Sequence, residues 1–297
     1  MKIRKLSFLL PWLLTAALTG CVSNDSVEDK QKSSADHQPV TTTVASADGS
    51  KITYGTLGAG EPAIVFIHCW TCNHHFWDQQ LDYFSQQRKV IWLDLAGQGD
   101  SGSQRKTYSM AAFGQDVATV VKQVGAKKVI LVGHSMGGPV ALEAAKLLGN
   151  QVTGIVGVDT FYTPFEYPTS QEKIDAFVKP FETDFYATSE GMVRSMFTPQ
   201  ADKTQVEAIV QKFASAKPEV GISAMHELFN WNASQVQTDL KNFAEILYNI
   251  NAAPTGKEKP VNDHIVMVPG VGHFIAQMKP DVFNQTLEGI VSRLQQR

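Results

Sequence analysis

Apolar residues fall in short continuous runs over much of the chain. Residues 63–67 (AIVFI), 90–93 and 128–132 are runs of this kind, the pattern of strands buried on both faces of a sheet. Helical stretches are predicted between them at 76–84 and 110–124. Strand and helix therefore alternate, and the sheet is expected to be mostly parallel. The alternation continues through a helix at 138–148, closed by Gly149, and a strand at 152–158. Upstream, 41–45 and 51–56 predict two strands joined at Asp48-Gly49, a hairpin signal. Past Asp159 the alternation stops. Thr169-x-x-Glu172 and Thr204-x-x-Glu207 are capping-box patterns, and Ile174, Phe177, Val178 and Phe181 share a helical face, as do Val206, Ile209, Val210 and Phe213. A helical segment is predicted over 160–232. Alternation resumes at 244–249, with a strand at 264–268 and an amphipathic helix at 281–294.

Composition narrows this picture at the N-terminus. The chain has 297 residues, 43% hydrophobic and 19% charged, enough for one large core. Its net charge of -3 and the lack of a basic run beyond the first five residues disfavour a nucleic-acid partner. Lys2, Arg4 and Lys5 precede an apolar run at 6–18, the order of a secretory signal, and that run is too short to span a bilayer as a permanent helix. It ends in Leu18-Thr19-Gly20-Cys21, which resembles the lipobox of bacterial lipoproteins and implies lipidation at Cys21. Val22 after the cysteine resembles cargo sent to the outer membrane. Residues 21–40 are rich in Ser, Asp, Lys and Gln and read as a flexible tether. The expected organisation is a signal peptide at 1–20, a tether at 21–40, a core at 41–159 and 233–297, and a cap at 160–232. The expected location is the cell envelope, with the membrane reached through an N-terminal lipid anchor.

The strand at 128–132 runs into Gly133-His134-Ser135-Met136-Gly137. Gly-x-Ser-x-Gly between strand and helix is the signature of a sharp turn that lifts a serine hydroxyl out of a sheet, with glycines where any side chain would strike neighbouring backbone. A serine needs a base within reach to act as a nucleophile. His273, after the strand at 264–268 and the turn Pro269-Gly270-Val271-Gly272, has the right place in chain order.

These segments, with His68-Cys69-Trp70 and Asp94 to Ser101, resemble the α/β-hydrolase fold superfamily, in particular its capped esterase and lipase-like members. The resemblance implies an α/β fold: a mostly parallel central sheet flanked by helices, with a helical cap inserted after the sixth strand. It implies a serine hydrolase with Ser135 as nucleophile and His273 as base. The acid usual after the penultimate strand is missing from 247–255. Asp159, at the end of the strand 152–158, is the expected acid, the alternatives being Glu258, Asp263 or no carboxylate at all. The oxyanion donors implied are the amides of Trp70 and Met136, with Cys69 where relatives usually carry glycine. The same constellation also fits a lactonase, amidase, acyltransferase or cofactor-free perhydrolase, or a binding protein that has lost turnover.

Cys69-Trp70-Thr71-Cys72 is also a Cys-x-x-Cys pattern. With hydrolase features around it, the pair is expected to be two buried thiols, the alternative being a loop-stiffening disulfide or redox motif. Asp94 to Ser101 reads as a structural turn. Phe161, Tyr162, Phe165, Phe181, Phe185, Met192, Met196 and Phe197 are expected mostly as cap core, with some walling an apolar pocket for a small acyl substrate. No cofactor is expected: no Walker or dinucleotide motif appears, and the adjacent His74 and His75 would not point both rings at one metal ion.

Overall fold

The computed structural model describes residues 40–213 and 216–296. The expected signal peptide and the lipidation expected at Cys21 fall outside them, as does the expected tether except for Val40, which opens the first strand.

The eight strands among the described residues are β1 (Val40–Ala45), β2 (Lys51–Leu57), β3 (Ala63–Ile67), β4 (Val90–Leu93), β5 (Val129–His134), β6 (Val152–Val158), β7 (Leu247–Ala253) and β8 (Ile265–Pro269). They form one sheet in the order β1-β2-β4-β3-β5-β6-β7-β8. The β1–β2 and β2–β4 pairs are antiparallel and the rest are parallel. The apolar runs have a plain cause. Val65, Ile67, Ile91, Leu93, Val129 and Leu131 point to one core layer; Ile64, Phe66, Val90, Trp92, Ile130 and Val132 point to the other. Alternate side chains leave opposite faces of a strand, and both faces here are covered. Helices α2 (Met110–Val124) and α3 (Gly137–Leu148) pack on the first layer, and α1 (Asp78–Ser85) and α10 (Pro280–Gln295) on the second.

The segment after β6 holds α4 (Gln171–Thr183), α5 (Phe185–Ser195), α6 (Lys203–Phe213) and α7 (Pro218–Ser234), then α8 (Val236–Asn242). The predicted faces of α4 and α6 are those that bury Ile174, Val178 and Phe181, and Ile209, Val210 and Phe213. The caps differ from the capping-box reading. Ser170, not Thr169, accepts from the Lys173 amide, and Asp202, not Thr204, accepts from Gln205; Ser and Asp place a short acceptor where it reaches the N3 amide. The boundary at 232 falls inside α7, and the strand expected at 244–249 is β7, three residues later. A turn at Phe243 to Ile246 occupies the residues between.

The β1–β2 hairpin is fastened to α2 by a buried ion pair. The Arg105 guanidinium donates to both Asp116 carboxylate oxygens at 2.6 and 3.0 Å and to Asp48 at 2.7 Å. Ser46 adds a 2.5 Å hydroxyl bond to Asp116, whose side chain is fully buried. The Arg105 guanidinium holds the Asp48 carboxyl down to about 2. Removing one partner strands the other charge in the interior. Arg105→Ala is expected to lower unfolding stability by about 3–5 kcal/mol, measured by urea denaturation at pH 7.

Candidate active site

Ser135 sits between β5 and α3 with φ of 54°, the left-handed region that L-residues other than glycine, Asn and Asp rarely enter. Its amide donates to the Val158 carbonyl at 2.9 Å, and its carbonyl accepts from Gly138 at 2.9 Å. A Cβ on Gly133 would strike the Gly137 carbonyl, and one on Gly137 would meet the Ile67 and His68 carbonyls. The turn therefore fits only glycine at both flanks, and it brings the start of α3 against the end of β3 and the loop after it.

His273 lies in the loop between β8 and α9 (Ile275–Met278). Its amide donates to the Met196 carbonyl of the helical segment at 3.0 Å, and its Nδ1 lies 2.7 Å from Asp159 Oδ2. Asp159 follows β6 with φ of 46°. The Ala252 amide of β7 donates to its other oxygen at 2.8 Å. Burial alone would raise the Asp159 carboxyl, but the His273 and Ala252 bonds outweigh it and hold the pKa below the usual carboxylate value. An ionised carboxylate only accepts, so the His273 Nδ1–H donates to it, and Nε2 is the ring nitrogen that Asp159 does not engage. Among the described residues Asp159 is the carboxylate bonded to His273. Glu258 instead accepts from the Thr255 and Lys257 amides, and Asp263 is exposed.

Ser135, Asp159 and His273 border one cavity of about 600 Å³, with Trp70, Cys69, Phe177, Phe213 and Phe229 among the other lining residues. Of the eight cap residues noted from sequence, Phe165, Met192 and Met196 reach this cavity; Phe161, Phe181 and Phe185 are buried. Tyr167, in the loop before α4, and Met225, on α7, also line it and were not singled out by sequence: Tyr167 belongs to no periodic pattern, and the α7 face serves core and cavity alike. The Tyr167 hydroxyl is pushed up to about 12 by burial, with the Asp159 charge adding to it, so it remains a neutral phenol beside the site. The Ala252 amide and Met196 carbonyl were also missed. Backbone groups leave no signature in side-chain identity.

Trp70 follows Cys69 in the loop after β3, and Met136 follows Ser135 at the start of α3. Both residues are buried, and among the described residues neither amide donates to a protein oxygen. Behind them His68 is fixed by two bonds: Leu95 N–H donates to Nε2 at 3.0 Å, so Nδ1 carries the proton and donates to the Cys69 carbonyl at 2.8 Å. Asp94 is structural, accepting from the His74 amide, the His74 ring and the Asp100 amide.

Cys69 and Cys72 are joined in a disulfide with a Cα separation of 5.2 Å, which corrects the expectation of two free buried thiols. That separation lies within the range a disulfide spans, a property of the turn that Cys-x-x-Cys spacing leaves open.

A model of the α/β hydrolase fold family matches residues 62–236. A non-heme haloperoxidase of Rhodococcus erythropolis is 38% identical over 96 residues, 32% of this chain and 35% of that protein. The match thus spans about a third of this curated relative's length. A thermophilic esterase from Thermogutta terrifontis has a TM-score of 0.70 at 20% identity, covering 86% of this chain and 99% of that one. An N-acyl homoserine lactone degrading enzyme gives 0.67 at 22% identity over 84% and 99% of the two chains. At these identities the structural likeness is one of fold.

Two histidines under the site are kept neutral. His134 packs against His273 with ring centroids 4.7 Å apart and donates from Nε2 to the His273 carbonyl at 3.0 Å. Burial first, and then the neighbouring His273, push it down to about 3. Burial likewise lowers His68. A folded-state pKa below the unfolded one means that the unfolded chain takes up protons which the folded chain refuses, so the stability is full above the unfolded value and is lost as pH falls toward the folded value. Unfolding stability is expected to drop on acidification from pH 7 to 4.5. The drop should be smaller by about 2–3 kcal/mol in His134→Gln, read from urea unfolding curves at the two pH values.

Proposed function

The chain belongs to the α/β-hydrolase fold family, and from that premise we propose that it is a serine hydrolase cleaving a carboxylic ester, or a related acyl compound, through an acyl-enzyme. One juxtaposition carries the reading: a serine in the left-handed region shares a cavity with a histidine whose Nδ1 is bonded to a buried carboxylate at 2.7 Å. The aromatic and methionine lining suits an apolar acyl group.

In this reading Ser135 Oγ attacks the substrate carbonyl carbon while His273 Nε2 takes the hydroxyl proton. Asp159 holds the imidazole in the right tautomer and stabilises the imidazolium without itself taking a proton. The Trp70 and Met136 amides receive the oxyanion. Collapse expels the alkoxide, which takes the proton from His273 and leaves Ser135 acylated. Water then attacks the acyl carbon and gives a proton to His273. The serine departs with that proton, releasing the acid.

Lactones and thioesters offer the same carbonyl, and the site chemistry does not separate them from open esters; a panel of acyl donors with product analysis does. The proposal also takes residues 1–20 as a signal peptide and Cys21 as the site of a lipid that tethers the enzyme in the cell envelope, with 160–232 as its cap.

Ser135→Ala is expected to abolish hydrolysis of a short-chain chromogenic ester with the fold intact by circular dichroism, and to abolish labelling by a fluorophosphonate probe. Turnover by that variant overturns the reading. Asp159→Asn is expected to lower kcat by about 10³–10⁴-fold by favouring the wrong histidine tautomer; a loss under about 10-fold removes Asp159 as the acid.

A further inference from the structure

We propose that the Cys69–Cys72 disulfide positions the Trp70 amide, so that opening it with a dithiol slows turnover at Ser135 while leaving substrate binding in place. The inference rests on the serine-hydrolase reading and extends it to a redox dependence seated in the oxyanion loop.

Residues 69–72 form a four-residue turn closed by a hydrogen bond from the Cys72 amide to the Cys69 carbonyl at 3.2 Å. Thr71 within it has φ of 55°. A β-branched residue in that region is a genuine outlier, and such strain persists only where the surroundings enforce it. Bonds hold Cys69 and the Trp70 side chain, but the Thr71 side chain gives no such support. The buried Thr71 hydroxyl has no partner among the described residues, nor do the side-chain atoms of Gln98. A cleft of about 50 Å³ bordered by Thr71, Cys72, Gln98 and Gly221 lies behind the turn. The disulfide spans the turn's ends and prevents Thr71 from relaxing into that space.

The Trp70 side chain is held separately. Its Nε1–H donates to the Gly221 carbonyl of α7 at 2.8 Å, and its ring packs on Phe181, Phe185 and Phe213 at centroid distances of 5.7, 5.7 and 6.5 Å. When the disulfide opens, the indole stays in the helical segment and the cavity wall survives. The backbone between Cys69 and Cys72 is then free to rotate, and the Trp70 amide with it. That split predicts a loss in kcat with KM preserved, because an oxyanion donor acts on the transition state. Cys69 borders the 600 Å³ cavity, which gives a small dithiol the same approach as substrate. The exchange balances: a dithiol gives two electrons and two protons, Cys69 and Cys72 become thiols, and the dithiol closes to its own disulfide.

The test is ester hydrolysis by the full chain before treatment with dithiothreitol, after it, and again after reoxidation. Mass spectrometry of the peptide carrying both cysteines counts the linked and reduced forms. Reduction is expected to lower kcat at least about 10-fold, since a donor displaced by about 1 Å costs on the order of 10²-fold. KM should stay within about twofold, and reoxidation should restore the rate. The double substitution Cys69→Ala with Cys72→Ala should reproduce the reduced enzyme's kcat and be indifferent to dithiol. If that variant does not fold, the reversible treatment of the native protein decides. Full kcat in protein shown to be reduced overturns the proposal, as does a cysteine pair found unlinked in the active enzyme. Loss through KM alone, or through unfolding seen by circular dichroism, overturns it as well. If the oxidised protein neither turns over nor labels with a fluorophosphonate at Ser135, the hydrolase reading falls and this proposal with it. If it does both and reduction changes nothing, this proposal alone falls.

Discussion

The hydrogen bond between His273 and Asp159 joins segments 114 residues apart, and much of the sheet's arrangement is what makes it possible. Asp159 stands at the end of β6 because its amide donates to Ile250 of β7 at 2.9 Å, in register with the Val158–Ile250 pair. Two residues on, Ala252 supplies the amide that satisfies the second carboxylate oxygen. His273 arrives from the far side of β8, its amide held by Met196. Burying a carboxylate is costly unless it is hydrogen-bonded. Here two donors from different strand ends keep it ionised. A parallel sheet brings those ends to one edge, and an antiparallel one would scatter them.

Strain collects at that edge. Thr71, Ser135, Asp159 and Tyr162 are the described non-glycine residues with positive φ, and they fall in the loops that follow β3, β5 and β6. Each costs roughly 1–3 kcal/mol. The two apolar layers offset this, since strands buried on both faces fix the loop ends and leave the connecting residues no easier route. The Gly133 and Gly137 contacts have the same effect at Ser135: they bring β5, α3 and the loop after β3 so close that the serine has one path between them.

How far the sequence shows this depends on whether the information lies in side-chain pattern or in backbone. Strands β3, β4 and β5 were legible because burial on both faces leaves continuous apolar runs, and the hairpin because Asp48-Gly49 is a turn pair; β7, whose run is broken by Asn249 and Asn251, was placed three residues early. Ser135 and His273 were nominated because glycines that must be small leave a readable motif. Asp159 was one carboxylate among three, and only distance separates it from Glu258 and Asp263. The caps of α4 and α6 slipped by one or two residues because Ser170 and Asp202 stand next to Thr169 and close to Thr204, and any of the four is an acceptable cap by type. The cysteine pair was misjudged for a comparable reason. Spacing permits both thiols and a disulfide, and the turn that brings the two together depends on a left-handed Thr71 that no propensity favours.

The helical segment after β6 does more than border a cavity, because it holds the candidate site at two backbone points. Met196 holds the His273 amide, and Gly221 holds the Trp70 indole. One contact sets where the imidazole loop sits, the other where the loop after β3 is anchored, and the same segment contributes Phe177, Phe213 and Phe229 to the cavity wall. A change in how these helices pack therefore acts at once on cavity shape, on the position of the histidine and on the loop carrying the Trp70 amide. In the proposed reading, substrate fit and reactivity are coupled through these contacts, because the helices that wall the cavity also anchor both loops. On that reading, substitutions deep in this segment, far from Ser135, bear on rate as well as on selectivity, and the two effects separate only where a contact is made by side chain alone.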